Sequence, residues 1–248
     1  RDVLGSRGLG DVYKRQAVDA AIATAACLTV VEPCSNGLGS DGFAIVWMKN
    51  KMYGMNSSGH SPYAISADKV DEIPKRGWIP VTVPGAVKGW KALSERFGSL
   101  PFKKLLEPAI DYARNGYPVS AEIARMWKKA LNAIPNSEEF KSWYDTFTFD
   151  GKAPEPGQMI CMPKLADALE KIADTNTDAL YYGELADRID EESKRFGGFL
   201  RKQDLEDHKV EWVNPIHVDY HGYQVWELPP NGPVSYTHLR AHETLRHL

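Results

Sequence analysis

Three closely spaced glycines are the first residues in this sequence whose pattern suggests a chemical role. Gly37, Gly39 and Gly42 spell G-x-G-x-x-G, which in dinucleotide-binding proteins holds a pyrophosphate at a helix N-terminus. That site needs a strand before the glycines and a helix after them, and here the order is reversed. We therefore predict no nicotinamide, flavin or other cofactor. The glycines instead allow a tight turn and close backbone approach, and Asp41 among them is a candidate partner for a substrate amine.

Histidines and cysteines give weaker signals. His238 and His242 have the four-residue spacing of metal ligands on a helix. A terminal tail by itself supplies neither a further ligand fixed by the fold nor supporting groups, so we expect no metal site. The three cysteines are irregularly spaced, which does not indicate a disulfide framework. A reactive thiol at Cys34, beside the glycines, remains an alternative.

The elements that position these residues are predicted from apolar periodicity and from glycine and proline positions. The apolar run 17–31 predicts a helix that is buried on all sides. Residues 43–48 and 52–56 predict a β-hairpin turned at 49–51, and a polar loop at 56–62 leaves its second strand.

A helical block and a second hairpin are predicted to follow. Pro84 and Gly98 mark the start and end of one helix. A second runs from Pro101 to near Gly116, and Pro108 predicts that it is either two short helices or one kinked helix. The remaining predictions are a helix capped by Ser120 that ends near 133, an irregular span at 136–162, helices at 163–173 and 184–196, and strands at 216–220 and 223–228. Antiparallel hairpins favour an α+β layered domain over a doubly wound one.

Composition excludes several classes of protein. The chain has 248 residues, 43% of them hydrophobic, and a net charge of −3. This charge predicts no nucleic-acid partner, and without an uncharged apolar run of about 18 residues we expect no membrane span. The sequence leaves the compartment open.

The two ends differ from the rest of the chain. Residues 1–16 and 234–248 resemble translated sequencing-adaptor segments that occur at the ends of unrelated environmental sequences. We interpret both as non-native and exclude them from fold reasoning. Residues 17–233 then form the native portion.

Several blocks in this native portion resemble a known family. They are similar, in order along the chain, to the large subunit of gamma-glutamyltranspeptidases, members of the N-terminal-nucleophile hydrolase superfamily. The blocks lie at 17–21, 31–43, 83–90, 97–101, 107–110, 116–120, 182–186, 197–205 and 228–232.

The resemblance implies both a fold and an activity. The expected fold is a four-layer αββα sandwich, incomplete in this chain. The family's precursor cleaves itself, and a threonine at the new N-terminus becomes the nucleophile, with its own amino group as the base. A γ-glutamyl group then passes through the threonine to water or an amine. We expect no catalytic residue in this chain, an inactive fragment, and two partners: the missing small subunit and a small-molecule γ-glutamyl or other amide substrate.

One position departs from the family pattern. Typical members carry an arginine in the loop after the second strand, where its guanidinium binds the substrate's α-carboxylate. The resemblance places Ser58 there and predicts Ser58, Gly59 and His60 as substrate-binding residues. Loss of the arginine keeps open an alternative: a related amidase, similar to cephalosporin acylases, with a different acyl donor.

Overall fold

A computed structural model describes residues 3–231, with the backbone alone for 3–16. Its helices are α1 Val3–Val31, α2 Ala86–Phe97, α3 Phe102–Asn115, α4 Ala121–Ala133, α5 Lys141–Phe147, α6 Pro163–Asp174, α7 Asp178–Tyr181, α8 Glu184–Arg195 and α9 Lys202–Asp207. Its strands are β1 Gly42–Met48, β2 Lys51–Ser57, β3 Tyr117–Pro118, β4 Met159–Ile160, β5 Glu211–Val213, β6 Ile216–Tyr220 and β7 Tyr223–Glu227. Within this range no helix is both long and apolar enough to cross a membrane.

The central sheet has the strand order β1-β2-β5. The β1–β2 hairpin is the predicted one, and its turn has Lys49 and Asn50 at φ 52° and 57°, the left-handed values of a two-residue hairpin turn. Strand β5 pairs with the other side of β2, where Gly54 faces Val213. The sequence analysis missed β5, because three residues are too few to show a periodic pattern.

The two faces of this sheet have different surroundings. Helix α2 covers one face, and a Cβ added to Gly89 would come within 3.0 Å of Met55 Cε, so helix and sheet are in close contact. On the other face Phe43, Ile45 and Trp47 are exposed, and Trp47 keeps 57% of its accessible surface. An apolar row of this kind is typical of a surface that another layer covers.

Helix α1 packs mainly against α3 and also contacts α2. It extends the predicted run 17–31 toward the N-terminus, beginning at Val3. The prediction that this helix is buried on all sides is wrong: Ile22 and Ala26 are buried, whereas Ala20 and Thr24 are exposed. Small side chains fill the exposed positions, so apolar composition alone did not reveal the one-sided packing.

The helical block follows the prediction at its ends, and of the two alternatives at Pro108 the one with two short helices is wrong. Helix α3 is a single helix across Pro108 and ends at Gly116. The lost hydrogen bond and the clash of the proline ring with the preceding turn together cost about 3 kcal/mol. Burial of Leu105 and Leu106 stabilises the helix by about 1.5–3 kcal/mol each. Ser120 caps α4 as predicted, with its side chain accepting from the Ile123 N–H at 3.3 Å.

The prediction that residues 136–162 are irregular is wrong. This span contains a 3₁₀ turn, Glu138–Phe140, followed by α5. Tertiary hydrogen bonds hold α5: the Trp127 indole N–H donates to the Phe147 carbonyl at 2.7 Å, and the Tyr144 hydroxyl donates to the Ile134 carbonyl at 2.9 Å. Sequence patterns do not register contacts of this kind. The short helices α7 and α9 were missed as well, and the mixture of helices and antiparallel strands confirms the α+β class.

Candidate substrate-binding site

The polar loop that leaves β2 is held tightly against the segment before α2. Ser57 is fully buried, and its hydroxyl donates to the Gly85 carbonyl at 2.7 Å. Further along the loop, the Val83 N–H donates to the His60 carbonyl at 3.1 Å. A Cβ at Gly59 would lie 1.5 Å from the Val83 oxygen, so the approach of the two backbones requires glycine.

The loop that contains Gly37, Gly39 and Gly42, called the glycine loop below, packs against the first turn of α2. The N–H groups of Gly85 and Ala86 both donate to the Ser40 carbonyl, at 3.1 and 2.8 Å. At Gly42 an added Cβ would lie 3.1 Å from the Ala86 Cα. Because Ser40 already occupies these amides, the N-terminus of α2 is not open to a phosphate. Of the three glycines, Gly42 therefore serves close packing, as predicted, whereas a Cβ at Gly37 or Gly39 would meet no atom closer than 3.9 Å.

Asp41 connects the glycine loop to the predicted substrate residues. Its Oδ1 accepts the Gly59 N–H at 3.2 Å, although the two residues are 18 positions apart. The side chain is exposed, and Asp41 Oδ2 has no hydrogen-bond partner among the described residues. A solvent-facing carboxylate beside this loop is suited to binding a substrate ammonium group.

Ser58 is bonded to a residue from the far end of the described chain. Its hydroxyl oxygen lies 2.8 Å from Asn231 Nδ2, and Asn56 Nδ2 donates to Asn231 Oδ1 at 2.8 Å. Asn231 follows the last strand, in the block at 228–232 that carried part of the family resemblance. The site therefore combines the β2 exit, the glycine loop, the residues before α2 and the segment after β7.

His60 packs along its own loop. Its Nδ1 donates to the Ser61 carbonyl at 2.7 Å, and its ring stacks on Tyr63 with centroids 4.8 Å apart. The Tyr63 N–H in turn donates to Asp204. The His60 Nε2 atom is buried and has no hydrogen-bond partner within residues 17–231. A direct contact between His60 and substrate remains a prediction.

A second histidine, which the sequence analysis did not identify, contacts the buried side of the loop that leaves β2. His208 is buried, and its Nε2 lies 3.3 Å from Ser57 Oγ. Because the Ser57 hydroxyl donates to Gly85, its oxygen accepts from His208 Nε2–H. Burial first, and then the charges of Lys88 and His60, lower the pKa of His208 to about 4. His208 is thus a neutral hydrogen-bond donor at neutral pH.

Lys88 and Tyr181 fix the position of His208. The Lys88 ammonium donates to the His208 carbonyl at 2.6 Å and lies 4.4 Å from the centre of the Tyr181 ring. The Tyr181 hydroxyl donates to the Pro84 carbonyl at 2.8 Å and accepts the Lys88 N–H at 3.0 Å. Burial raises the pKa of the Tyr181 phenol, so it stays protonated. These contacts hold α7 and the end of α9 against the start of α2.

The remaining chemically capable residues lie apart from this site. Burial, and then the charge of Glu32, raise the pKa of the Cys34 thiol, which opposes the alternative of a reactive thiolate. Across the part of the chain that the structure describes, no three His, Cys, Asp or Glu side chains form a metal-binding group. His238 and His242 lie outside the described residues.

Sequence reasoning identified part of this arrangement. Ser58, Gly59 and Asp41 are brought together, and the first two are the residues that the resemblance predicted. Ser57 and His208 were missed, because a buried serine and a helix-end histidine carry no motif. Asn231 lay within a recognised block, but no sequence signal links it to Ser58.

The fold defines the class of protein. The chain matches the crystal structure of cephalosporin acylase from Bacillus halodurans with a TM-score of 0.84 and 46% identity, covering 87% of this chain and 42% of that one. It matches the crystal structure of Helicobacter pylori gamma-glutamyltranspeptidase with a TM-score of 0.82 and 27% identity, covering 90% of this chain and 66% of that one. These relatives are N-terminal-nucleophile hydrolases, and the chain shares their fold.

The family follows from sequence comparison. The model of the family described as gamma-glutamyltranspeptidase matches residues 14–246. The "glutathione hydrolase-like YwrD proenzyme" of Bacillus subtilis is 39% identical over 223 residues, which cover 87% of this chain and 42% of that protein. The chain belongs to the gamma-glutamyltranspeptidase family, an enzyme family, and spans less than half the length of this relative.

Proposed function

We propose that residues 17–233 are the large-subunit portion of a self-cleaving acyltransferase or hydrolase, flanked by non-native segments at 1–16 and 234–248. The enzyme transfers a γ-glutamyl group to water or to an amine. Membership of the family supports the reaction class, and relatives named proenzymes support a precursor. The nucleophile is a threonine supplied by the remainder of the precursor.

The observation that carries this proposal is the convergence of the loop after β2 with Asp41. The Gly59 N–H and the Asp41 carboxylate lie 3.2 Å apart, next to Ser58, the position that the resemblance assigns to substrate binding. A γ-glutamyl donor carries an α-ammonium group, and the free Asp41 oxygen supplies a charge-assisted acceptor for it.

The open face of the sheet supports a second subunit as partner. Phe43, Ile45 and Trp47 form an exposed apolar row on β1, opposite the face that α2 covers. A second β-sheet stacked on this row would bury it and produce two stacked sheets with helices outside, the layering that the family resemblance implies.

Within this reaction the described residues bind and orient the substrate. The threonine hydroxyl attacks the amide carbon, its amino group takes the proton, and the leaving amine departs with a proton. Water or an acceptor amine then releases the acyl group. Asp41 fixes the donor's ammonium, and the Ser57–Gly85 hydrogen bond holds the loop that positions the acyl chain.

Expression of the complete precursor tests the proposal. Mass spectrometry should show cleavage into two subunits with threonine at the new N-terminus, and the product should hydrolyse γ-glutamyl-p-nitroanilide. Replacing Asp41 with Asn should raise KM roughly tenfold or more, because a hydrogen bond to a charged group contributes about 1.5–3 kcal/mol. The matched variant Asp174→Asn removes an exposed carboxylate of α6 and should leave KM unchanged. A precursor that neither cleaves itself nor hydrolyses amides would refute the function.

A second candidate function is that of a related amidase with another acyl donor. Ser58 in place of the family's arginine favours it, as does the 46% identity to the B. halodurans acylase. A matured enzyme that hydrolyses other amides but not γ-glutamyl-p-nitroanilide would establish this candidate over the first.

A further inference from the structure

The side-chain amide of Asn231, which lies far from Ser58 in the sequence, forms two hydrogen bonds with the Ser58 hydroxyl. Asn231 Nδ2 donates to Ser58 Oγ at 2.8 Å, and the Ser58 hydroxyl donates to Asn231 Oδ1 at 3.1 Å. The residues are 173 positions apart, so the fold alone produces the pair. Ser58 stands where the resemblance places the carboxylate-binding arginine of typical members.

Asn56 completes this Ser58 cluster (Asn56, Ser58 and Asn231) and fixes the orientation of its amides. The Ser58 backbone N–H can only donate, so the Asn56 atom 2.9 Å from it is the oxygen. The Asn56 nitrogen therefore faces Asn231, whose nearest atom at 2.8 Å must be the acceptor Oδ1. The Asn231 nitrogen then points to the Ser58 hydroxyl.

The Ser58 cluster has two unused hydrogen-bonding positions. The second N–H of Asn231 and the second lone pair of the Ser58 hydroxyl have no partner in the described part of the chain. Asn231 is exposed and Ser58 is half-buried, so a ligand can reach both. The cluster thus offers one donor and one acceptor side by side.

A carboxamide matches this pair and a carboxylate does not. The oxygen of a carboxamide accepts from Asn231 while its NH₂ group donates to the Ser58 oxygen. A carboxylate has acceptors only, so the Ser58 hydroxyl could donate to it only by giving up its hydrogen bond to Asn231 Oδ1. Polar groups that lose a partner in this way discriminate between substrates.

The charges around the loop also disfavour a bound carboxylate. Asp41, held by the Gly59 N–H directly after Ser58, places a negative charge beside the cluster. Among the described residues, no lysine or arginine forms a hydrogen bond or ion pair with Asn56, Ser58 or Asn231. A carboxylate bound here would meet a like charge without a neutralising partner.

We infer that Asn231 is a specificity-determining residue, and that the Ser58 cluster selects acyl donors with an uncharged carboxamide where typical members bind a carboxylate. This inference rests on the proposed amide-cleaving function and narrows its substrate class. Asp41 remains available for the ammonium group of the same donor. The preferred donor is therefore a cationic amino-amide and not a zwitterionic amino acid.

The test compares two donors that differ in one group. The matured full-length enzyme is assayed with γ-glutamyl-p-nitroanilide and with its α-carboxamide analogue. The carboxamide should have the higher kcat/KM by roughly tenfold or more, the effect expected when one polar group loses its partner. Asn231→Ala should bring the ratio close to one, whereas Asn115→Ala, which removes an exposed amide at the end of α3, should not change it.

Two further variants test the cluster independently of Asn231→Ala, and the second of them should reverse the preference between the two donors. Ser58→Ala removes the acceptor at a second position and should also lower the ratio. The double variant Ser58→Arg with Asn231→Ala replaces the cluster with a guanidinium and should favour the carboxylate donor. Melting temperatures of all variants establish that each is folded.

The outcomes separate the inference from the function. Self-cleavage and amide hydrolysis with a preference for the carboxylate, or a ratio that Asn231→Ala leaves unchanged, would overturn the inference and leave the function standing. Loss of both self-cleavage and hydrolysis would refute the function. If the matured enzyme hydrolyses other amides only, calorimetric binding of L-glutamate and its α-amide decides the inference, and equal affinities overturn it.

Discussion

Adding one methyl group at Gly59 should disrupt the substrate loop. The Cβ of Gly59→Ala would lie 1.5 Å from the Val83 oxygen and 2.4 Å from its carbonyl carbon, whereas ordinary contacts begin at 3.4 Å. The two backbones must therefore separate by about 2 Å, since non-bonded atoms are most stable near 3.5–4.0 Å. That shift breaks the Val83 N–H···O His60 bond and moves Gly59 away from Asp41.

The cost of this substitution follows from the contacts it breaks. Overpacking costs about 1–3 kcal/mol, and each lost hydrogen bond adds about 1 kcal/mol, so we expect about 3–5 kcal/mol of destabilisation. Misplacing a substrate-positioning loop by more than 1 Å should also lower kcat/KM by roughly a hundredfold. Gly85→Ala, whose Cβ would lie 1.8 Å from the Ser57 oxygen, should behave in the same way.

Gly39→Ala is the matched control. No atom lies within 4 Å of a Cβ at Gly39, and this residue has no positive φ. Its stability should stay within about 0.5 kcal/mol of wild type. Urea unfolding followed by circular dichroism, together with KM and kcat, measures both effects in the full-length protein. If Gly59→Ala has the same urea unfolding midpoint and the same KM as Gly39→Ala, the close approach of the two backbones is not required.

Three other predictions concern the remainder of the chain. Folding lowers the pKa of His208, so the unfolded state binds more protons, and stability should fall by about 3 kcal/mol at most as pH drops from about 6.5 to 4. In His208→Phe the urea unfolding midpoint should depend less on pH across that range. An unchanged pH dependence would contradict the assignment. Asp19 accepts the N–H and hydroxyl of Ser99, so Asp19→Ala should cost about 2–4 kcal/mol in the same unfolding assay; a change below 1 kcal/mol would argue against these bonds. Purified residues 17–233 should be inactive and aggregate in sedimentation experiments, and Trp47→Lys should reduce aggregation; a soluble monomer that unfolds cooperatively would contradict the open apolar face.

Local sequence signals correctly placed the elements whose ends depend on backbone conformation. Gly98 and Gly116 directly follow α2 and α3, and Ser120 caps α4. Gly116 adopts a φ of 93°, which favours glycine, and the Ser120 side chain accepts a backbone N–H of the first helical turn. The turn at Lys49 and Asn50 was located by the polar residues between two apolar runs. The blocks that resemble the family could also be recognised from the sequence alone.

Elements held by tertiary contacts could not be predicted in the same way. Strand β5 exists because β2 has a free edge for it, and α5 depends on hydrogen bonds from the Trp127 indole and the Tyr144 hydroxyl to distant carbonyls. The continuous α3 depends on the burial of one face, which outweighs the local penalty of Pro108.

The candidate site shows the same division. Residue identity alone marked Ser58 as a departure from the family, since a serine cannot form the bidentate bond of an arginine. Only the fold brings Asn231 to Ser58 and Asp41 to Gly59, and only packing lowers the pKa of His208, by burial and by the nearby charges of Lys88 and His60. Sequence specifies local conformation and the types of chemical group. Tertiary structure specifies which groups meet and in what charge state, because contact and desolvation arise when distant segments pack.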